Sequence, residues 1–491
     1  MPNPQVVPIE KSYSYPKSVP YIVANEAAER FSFYGMRSIL PTFLVAQFFN
    51  PTLNPALQTV AEAQSNEATH FFVSLAYTMP LLGAILADWF FGKYKVILYL
   101  SIVYCIGHLF LALFDTNLEW FRYGLLMIAM GAGGIKSCTS ANVGDQFNKS
   151  NEHLMSKVYG WFYFSINAGS VISTLLIPWT YNAFGASWAF GVPGILMAIA
   201  TIIFVAGRKK YVKLPPAGIN KENFVSISLY ALFNASKKQP GESLLDVSKR
   251  KYNPEKVEGI KAVWRVMSVF AFIPIFWAMW DQNLSEWVLQ ATKLDRHLFG
   301  YEFLPEQIQT VNPIFLLLFI PLFTYWVYPF FDKLGLQTTP LRRIGAGLIL
   351  TALSFVIIAT LQTWVDAGEH PSVWWQIFAY IILSAGEVLV SITGLEYAYT
   401  QAPKSMKSTM TAIWLLTVAL GNLFTAFVNN SISNKGFFAQ LEGASYYWFF
   451  VGLITAFIIV YLFVSPRLKE RSYITDPDND ILIASAAPHG Q

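Results

Sequence analysis

The chain has 491 residues, 54% hydrophobic and 16% aromatic, with only 13% Asp, Glu, Lys and Arg and a formal net charge of +4. A soluble domain carries about 25% charged residues, so this composition, with a mean hydropathy of +0.41, excludes a water-soluble globule. It also excludes a disulfide framework or cysteine-rich metal site, since the two cysteines, Cys105 and Cys138, sit in apolar stretches, and no aromatic-interleaved basic patch marks a nucleic-acid surface.

Residues 1–18 hold four prolines and no apolar h-region, so they do not read as a cleaved secretion signal. Beyond them, apolar runs approach the roughly 20 residues needed to cross a bilayer. They predict an all-α membrane protein with twelve transmembrane helices. The first six lie near 19–49, 67–91, 96–114, 120–141, 157–183 and 188–207. The second six lie near 263–291, 306–332, 344–364, 372–400, 408–431 and 444–465. The expected organisation is therefore an N-terminal six-helix half (1–207), a polar cytoplasmic linker (208–262), a C-terminal half (263–465) and a polar cytoplasmic tail (466–491) without a fold of its own. The loops after spans two and eight echo each other weakly, Asp88 through Gly92-Lys93 and Lys95 against Asp332-Lys333 with Arg342-Arg343. Two such halves are the major-facilitator architecture. With both termini inside, only Arg122, Lys293, Arg296 and Lys435 fall on the outer side, the asymmetry that the positive-inside rule describes.

Charges inside spans carry the chemistry, because each costs about 2.5–3.5 kcal/mol at a helix centre. In span one, Glu26, Glu29, Arg30, Phe33, Tyr34 and Arg37 fall on one helical face, while Ile22, Val23, Ala27 and Ala28 lie on the other. That face requires a polar cavity or counter-charges; a structural salt-bridge cluster, with Glu26 at the membrane interface, is the plainer alternative. Arg30 keeps its charge, so a neighbouring carboxylate can exchange that partner for a proton. In span two, His70 is either a packing residue or a titrating group; His108 in span three has less support for a role. Asp88 and Lys93 flank a tight turn and read as scaffold. Span four holds Lys136 after Gly131-Ala132-Gly133-Gly134. No Gly-Lys-Ser/Thr run exists, so these glycines permit close helix packing rather than phosphate binding. Lys136 requires a carboxylate, from another helix or from a substrate. In span seven Trp277 and Asp281 share a face, and Asp281 is the natural partner for a span-one arginine. Span eight opens with Gln309 and Asn312 before Pro313. Span ten holds Glu387 in an otherwise apolar run ending at Ser391, and Glu396 near its cytoplasmic end. No His/Asp/Glu spacing suggests a metal site, and no nucleophile–base arrangement suggests an enzyme.

The stretch Glu26-Ala-Ala-Glu29-Arg30-Phe31-Ser32-Phe33-Tyr34-Gly35 resembles the ExxERFxYYG motif of the proton-coupled oligopeptide transporter family (POT/PTR). Gly133-Gly134-Ile135-Lys136 continuing to Gly144-Asp145-Gln146-Phe147 is similar too. So are Phe162-Tyr163-Phe164-Ser165-Ile166-Asn167-Ala168-Gly169-Ser170 and Gly394-Leu395-Glu396 through Gln401-Ala402-Pro403. The resemblance implies a proton-coupled importer of di- and tripeptides, working by alternating access in the plasma (inner) membrane, with the proton as coupling ion and no cofactor. It implies that Glu26, Glu29, Arg30, Lys136 and His70 handle the proton. Arg30, Arg37 and Lys136 would bind the peptide carboxylate and Glu387 its ammonium, with Asn167 and Asn312 on its amides or termini. Tyr34, Tyr77, Trp277, Trp414 and Ser391 would line the peptide site, and Arg37 with Asp281 would form a gate pair. Phe33, Ser137 and Asp281 depart from the family's Tyr, Pro and Glu, without removing charge. The linker reads as too polar for the extra helix pair of many bacterial members, and 363–371 as too short for the extracellular domain of animal members. Rival readings are a proton-coupled carrier of nitrate or another small solute, which Glu387 disfavours, and a membrane peptide sensor, for which the loops are short.

Overall fold

The computed structural model describes residues 14–403 and 406–468, so the expected tail lies almost wholly outside the described residues. Helices α1 (Val19–Leu44), α2 (Gln58–Ile85), α3 (Lys93–Leu113), α4 (Leu118–Gly144), α5 (Met155–Phe184) and α6 (Ala186–Ala206) precede a linker helix, α7 (Phe224–Phe233). The seventh span is broken into α8 (Pro254–Phe270), α9 (Ile273–Trp280) and α10 (Glu286–Ala291). The eighth comprises α11 (Val311–Leu322) and α12 (Tyr328–Lys333). Then come α13 (Pro340–Asp366), a tenth span made of α14 (Trp374–Glu387) and α15 (Thr393–Gln401), α16 (Lys407–Ser433) and α17 (Ala444–Val464).

Among the described residues nine helices are long and apolar enough to cross a membrane, and ten if the pieces of the seventh span, bent by 48°, count as one. The remaining two, α1 and α4, have 26 and 27 residues, enough to span at about 1.5 Å per residue. Their charges lower their hydropathy: Glu26, Glu29, Arg30 and Arg37 in α1, Lys136 in α4. Helix α2 starts at Gln58 rather than near 67; its polar first turns, with Glu62 and Gln64, hide a helical start from hydropathy.

The chain divides into two compact units, Met1–Asn54 with Leu75–Gly218, and Pro55–Ser74 with Ile219–Gln491. In the first, α3 packs on α4 and α6, and α1 on α5; in the second, α13 packs on α14 and α17, and α9 on α16. Numbered by span, the pairs 3–4, 3–6 and 1–5 recur as 9–10, 9–12 and 7–11. The second unit thus repeats the packing of the first, six spans later.

Glycines set how closely these helices approach. A Cβ on Gly107 would lie 2.9 Å from Gly124 O and one on Gly124 3.0 Å from Gly107 O. The matching pair in the second unit, Gly347 and Gly386, gives 2.9 and 3.1 Å. A Cβ on Gly83 would collide with Gly134 O, and one on Gly133 would lie 2.5 Å from Ala76 O. Gly133 and Gly134 are thus where α4 meets α2 backbone to backbone, while Gly131 faces Leu100 and Tyr104 of α3, as small residues allow in membranes.

The linker is more ordered than its polar composition suggests. Helix α7 has ten residues, too few to span, and packs on α8. The Phe224 and Trp264 rings lie 5.7 Å apart, Trp264 Nε1 donates to Ser228 Oγ at 3.1 Å, and Ser248 Oγ donates to Ile227 O at 2.9 Å. Hydrogen bonds from Lys249 and Lys261 hold the Asp246 carboxyl well below the usual carboxylate range.

The glycine contacts make a direct prediction. Gly107→Val should destabilise the protein by about 1–3 kcal/mol through overpacking, read as a lower Tm in detergent. Gly160→Ala, whose Cβ would meet nothing within 4 Å among the described residues, should leave packing intact and not lower Tm, since Ala favours the helix over Gly. Equal Tm losses would show that the α3–α4 approach is not limiting.

Candidate functional site

In the first unit, the one-turn spacing of Glu26 and Arg30 lets their side chains meet on α1. Arg30 Nε donates to Glu26 Oε1 at 2.7 Å. Glu29 Oε2 lies 3.1 Å from the same nitrogen, yet neither Glu29 oxygen has a hydrogen-bond donor among the described residues. Glu26, Glu29 and Arg30 expose only 2%, 1% and 5% of their surface. Glu26 is therefore no interface residue. Of the two carboxylates, Glu26 is held and Glu29 is loosely held. Arg37, two turns on, is buried as well.

The glycine contact between α2 and α4 brings Lys136 to the rings of α1 and α2. Its Nζ lies 3.7 Å from the Tyr77 ring centroid and 5.7 Å from that of Phe33, which packs edge-on against Tyr34. No carboxylate of the described residues lies within 4.0 Å of it. A desolvated cation over an aromatic face gains about 2 kcal/mol or more, which offsets part of the burial cost and leaves the N–H bonds for a ligand. The expected carboxylate partner from another helix is thus replaced by aromatic faces. On α5, Asn167 Nδ2 bonds Tyr163 O at 2.9 Å, leaving its amide oxygen as the available acceptor.

In the second unit, Glu387 closes α14 and accepts from Trp280 Nε1 and from Asn312 Nδ2, both at 2.9 Å. Asn312 Nδ2 also reaches Ser384 Oγ at 3.0 Å. The backbone after Glu387 widens into a π-turn, Val388–Ile392, which includes the half-buried Ser391. Such π-bulges recur at functional positions. Trp277 and Trp414 stand 6.0 Å apart, with Trp280 5.4 Å from Trp277 and Phe270 5.2 Å from Trp414. The structure thus brings Trp277, Trp414, Asn312 and Glu387 together. It adds Trp280, which sequence reasoning missed; an indole three residues after Trp277 on the same face was the available signal.

His70 is not a lone histidine. It is fully buried; its Nδ1 lies 2.8 Å from Asn422 Oδ1 and its Nε2 2.9 Å from Glu286 Oε2. Asn422 Nδ2 donates to Asp281 Oδ2 at 2.6 Å. Glu286 was also missed, because it falls at the end of a span where hydropathy cannot separate buried from interfacial charge. His108 Nδ1 contacts Phe190 O at 3.1 Å, and Lys93 pairs with Asp145 at 2.7 Å; these are structural contacts.

Against known proteins, a family model described as "POT family" matches residues 94–448. "Peptide transporter family 1" of Drosophila melanogaster is 40% identical over 375 residues, 72% of this chain and 49% of that protein. "Solute carrier family 15 member 2" of Rattus norvegicus is 37% identical over 405 residues, 78% of this chain and 54% of that protein. The chain spans about half the length of these curated relatives. A crystal structure of the POT family transporter PepTSo aligns with a TM-score of 0.85 and 35% identity, covering 93% of this chain and 99% of the other. The fold is thus that of a multi-pass membrane transporter of major-facilitator type.

Trp280→Phe should lower stability by about 1–3 kcal/mol, because it leaves a buried carboxylate with one donor fewer. Combined with Glu387→Gln, the loss should be smaller than the sum of the single losses, measured by thermal unfolding of the purified variants. Strict additivity would show that the indole does not hold the carboxylate.

Proposed function

The chain belongs to the POT family, and on that premise we propose that it imports di- and tripeptides, driven by protons, by alternating access. The setting is the plasma (inner) membrane with both termini cytoplasmic, in line with the lysine and arginine asymmetry. What supports this reading is that each unit holds its own buried pole, positive in the first and negative in the second. Lys136, with N–H bonds left for a ligand, joins Arg30 and Arg37 as the pole for the peptide carboxylate. Glu387, presented by Trp280 and Asn312, is the pole for the ammonium. Asn167 and Asn312 serve the amides, while Tyr34, Tyr77, Trp277, Trp414 and Ser391 accommodate the side chains. Arg37 and Asp281 act as gate residues of opposite charge.

Proton coupling falls to Glu29 in this reading. Glu26 is already bound to Arg30, whereas Glu29 has no hydrogen-bond donor on its oxygens among the described residues and so can exchange its loose hold on Arg30 for a proton. A carboxylate that binds a proton in one state and a cation in another links the proton to the substrate site. Glu387 weighs against an anion carrier, because a carboxylate facing nitrate raises the anion's energy.

Two measurements test the proposal in proteoliposomes. Glu29→Gln should abolish accumulation driven by a proton gradient while peptide counterflow persists; accumulation at the unmodified rate would remove Glu29 from the coupling role. Glu387→Gln should weaken Ala-Ala binding by about 10- to 150-fold, the equivalent of about 1.5–3 kcal/mol for one charge-assisted contact. N-acetyl-Ala-Ala, which has no ammonium, should lose far less. Equal losses would make Glu387 structural, and nitrate uptake without peptide uptake would favour the anion carrier.

A further inference from the structure

A ten-residue helix is marginal in water by itself, and α7 finds its protein partners on one face only. Ile227, Ser228 and Ala231 are buried, where Ser248 Oγ donates to Ile227 O and Trp264 Nε1 to Ser228 Oγ. The other face is apolar and open. Val225, Leu229, Leu232 and Phe233 recur at the i, i+4, i+7, i+8 spacing of one helical stripe. All four are exposed, Phe233 by 83%. The apolar surface continues from Leu232 into a cavity of about 630 Å³, lined also by Leu244, Leu245, Trp264, Lys261 and Arg265. Contiguous exposed apolar surface of this kind marks an interaction site.

The charge around this stripe is positive once the internal pairs are set aside. Glu222 pairs with Lys256, Glu242 with Arg250, and Asp246 and Glu258 with Lys249 and Lys261. Glu255 lies in the first turn of α8, where the helix dipole stabilises a carboxylate. Lys221 precedes α7, and Lys237 and Lys238 follow it. All three are exposed and make no ion pair among the described residues. Uncompensated cations therefore flank the stripe at both ends.

Depth brings this surface to the bilayer. Trp264 touches both Phe224 and Ser228 of α7, and it lies one residue inside the seventh span expected from residue 263. Indoles concentrate at the membrane–water boundary, so α7 packs on α8 at the level of the lipid headgroups. We propose that α7 docks on the cytoplasmic leaflet by binding anionic phospholipid. Its four exposed apolar side chains enter the acyl region, and the cavity beside Leu232 gives room to part of a chain. Lys221, Lys237 and Lys238 meet the phosphates. Interfacial helices bind by this combination of apolar face and basic flanks, and each lysine near an anionic surface adds about five-fold in affinity. The depth favours lipid over a soluble partner, which would have to displace headgroups to reach the stripe. The inference does not depend on the transported solute; only the choice of leaflet comes from the orientation proposed above.

Amide hydrogen exchange of the whole protein in nanodiscs provides the test. Discs of phosphatidylcholine are compared with discs of phosphatidylcholine and phosphatidylglycerol; both leaflets are alike, so the result is independent of orientation. The α7 amides should exchange about ten-fold more slowly in the anionic discs than in the neutral discs or in detergent. The amides of α13 should not change. Lys221→Gln, Lys237→Gln and Lys238→Gln combined should remove the difference between the two lipids, and high salt should do the same to the unmodified protein. Phe233→Asp should return α7 in the anionic discs to its rate in detergent, with α13 as the control for folding. Equal α7 exchange in neutral and anionic discs would overturn the proposal. So would a lipid difference that survives the triple lysine substitution. Protection in detergent equal to that in anionic lipid would also overturn it, because protein would then be covering the stripe.

Discussion

An ionised side chain in hydrocarbon must find its partner within the protein, and this constraint shapes the structure more than any other. Each such group costs about 2.5–3.5 kcal/mol at mid-membrane, and each is answered differently here. Arg30 is met from its own helix, by Glu26 at 2.7 Å. Lys136 is met by the faces of Tyr77 and Phe33. Glu387 is met by two neutral donors, and His70 by Glu286. Neutral donors and aromatic faces hold a charge without cancelling it. Such groups remain able to exchange their partners for a ligand or a proton, whereas a closed ion pair does not.

Those partners meet because the helices can approach closely and can break. Glycine pairs such as Gly107–Gly124 and Gly347–Gly386 bring backbones together where a side chain would hold them apart. Breaks serve the same end. The seventh span gives up α-helical winding at Asp281–Leu284, and the tenth widens just after Glu387. Irregular backbone at membrane depth is tolerated only inside protein or along a water-filled cavity, and Asp281 through Ala291 are all buried. Trp280, at the end of α9, and Glu387, at the end of α14, meet where both breaks begin. The polar chemistry and the irregular helix geometry therefore occupy the same positions.

Much of this was legible in the amino-acid order. Hydropathy reports the solvent of each segment, and it marked the spans even where charge lowered the signal, as in α1 and α4. The charged face of α1 followed from helical periodicity alone, because Glu26, Glu29, Arg30 and Arg37 recur on one side of a helix whatever it packs against. Composition was a poor guide to the linker, where the short α7 is held by α8 and by the segment that follows it in the linker, as in the Phe224–Trp264 and Tyr230–Tyr252 ring contacts.

What the chain by itself determined was which residues need partners; the tertiary structure decided who those partners are. Burial of Glu29, Lys136 and Glu387 follows from their place in apolar segments, since the bilayer imposes it on any helix of that composition. That Arg30 holds Glu26 more closely than Glu29 depends on rotamers, and that Lys136 lies over Tyr77 depends on how closely Gly83 and Gly134 approach. The bond between His70 and Glu286 joins residues 216 positions apart. Such contacts depend on helix crossing and breakage, which no local pattern encodes. Spacing along one helix names a face, and only the packing of several helices determines what that face meets.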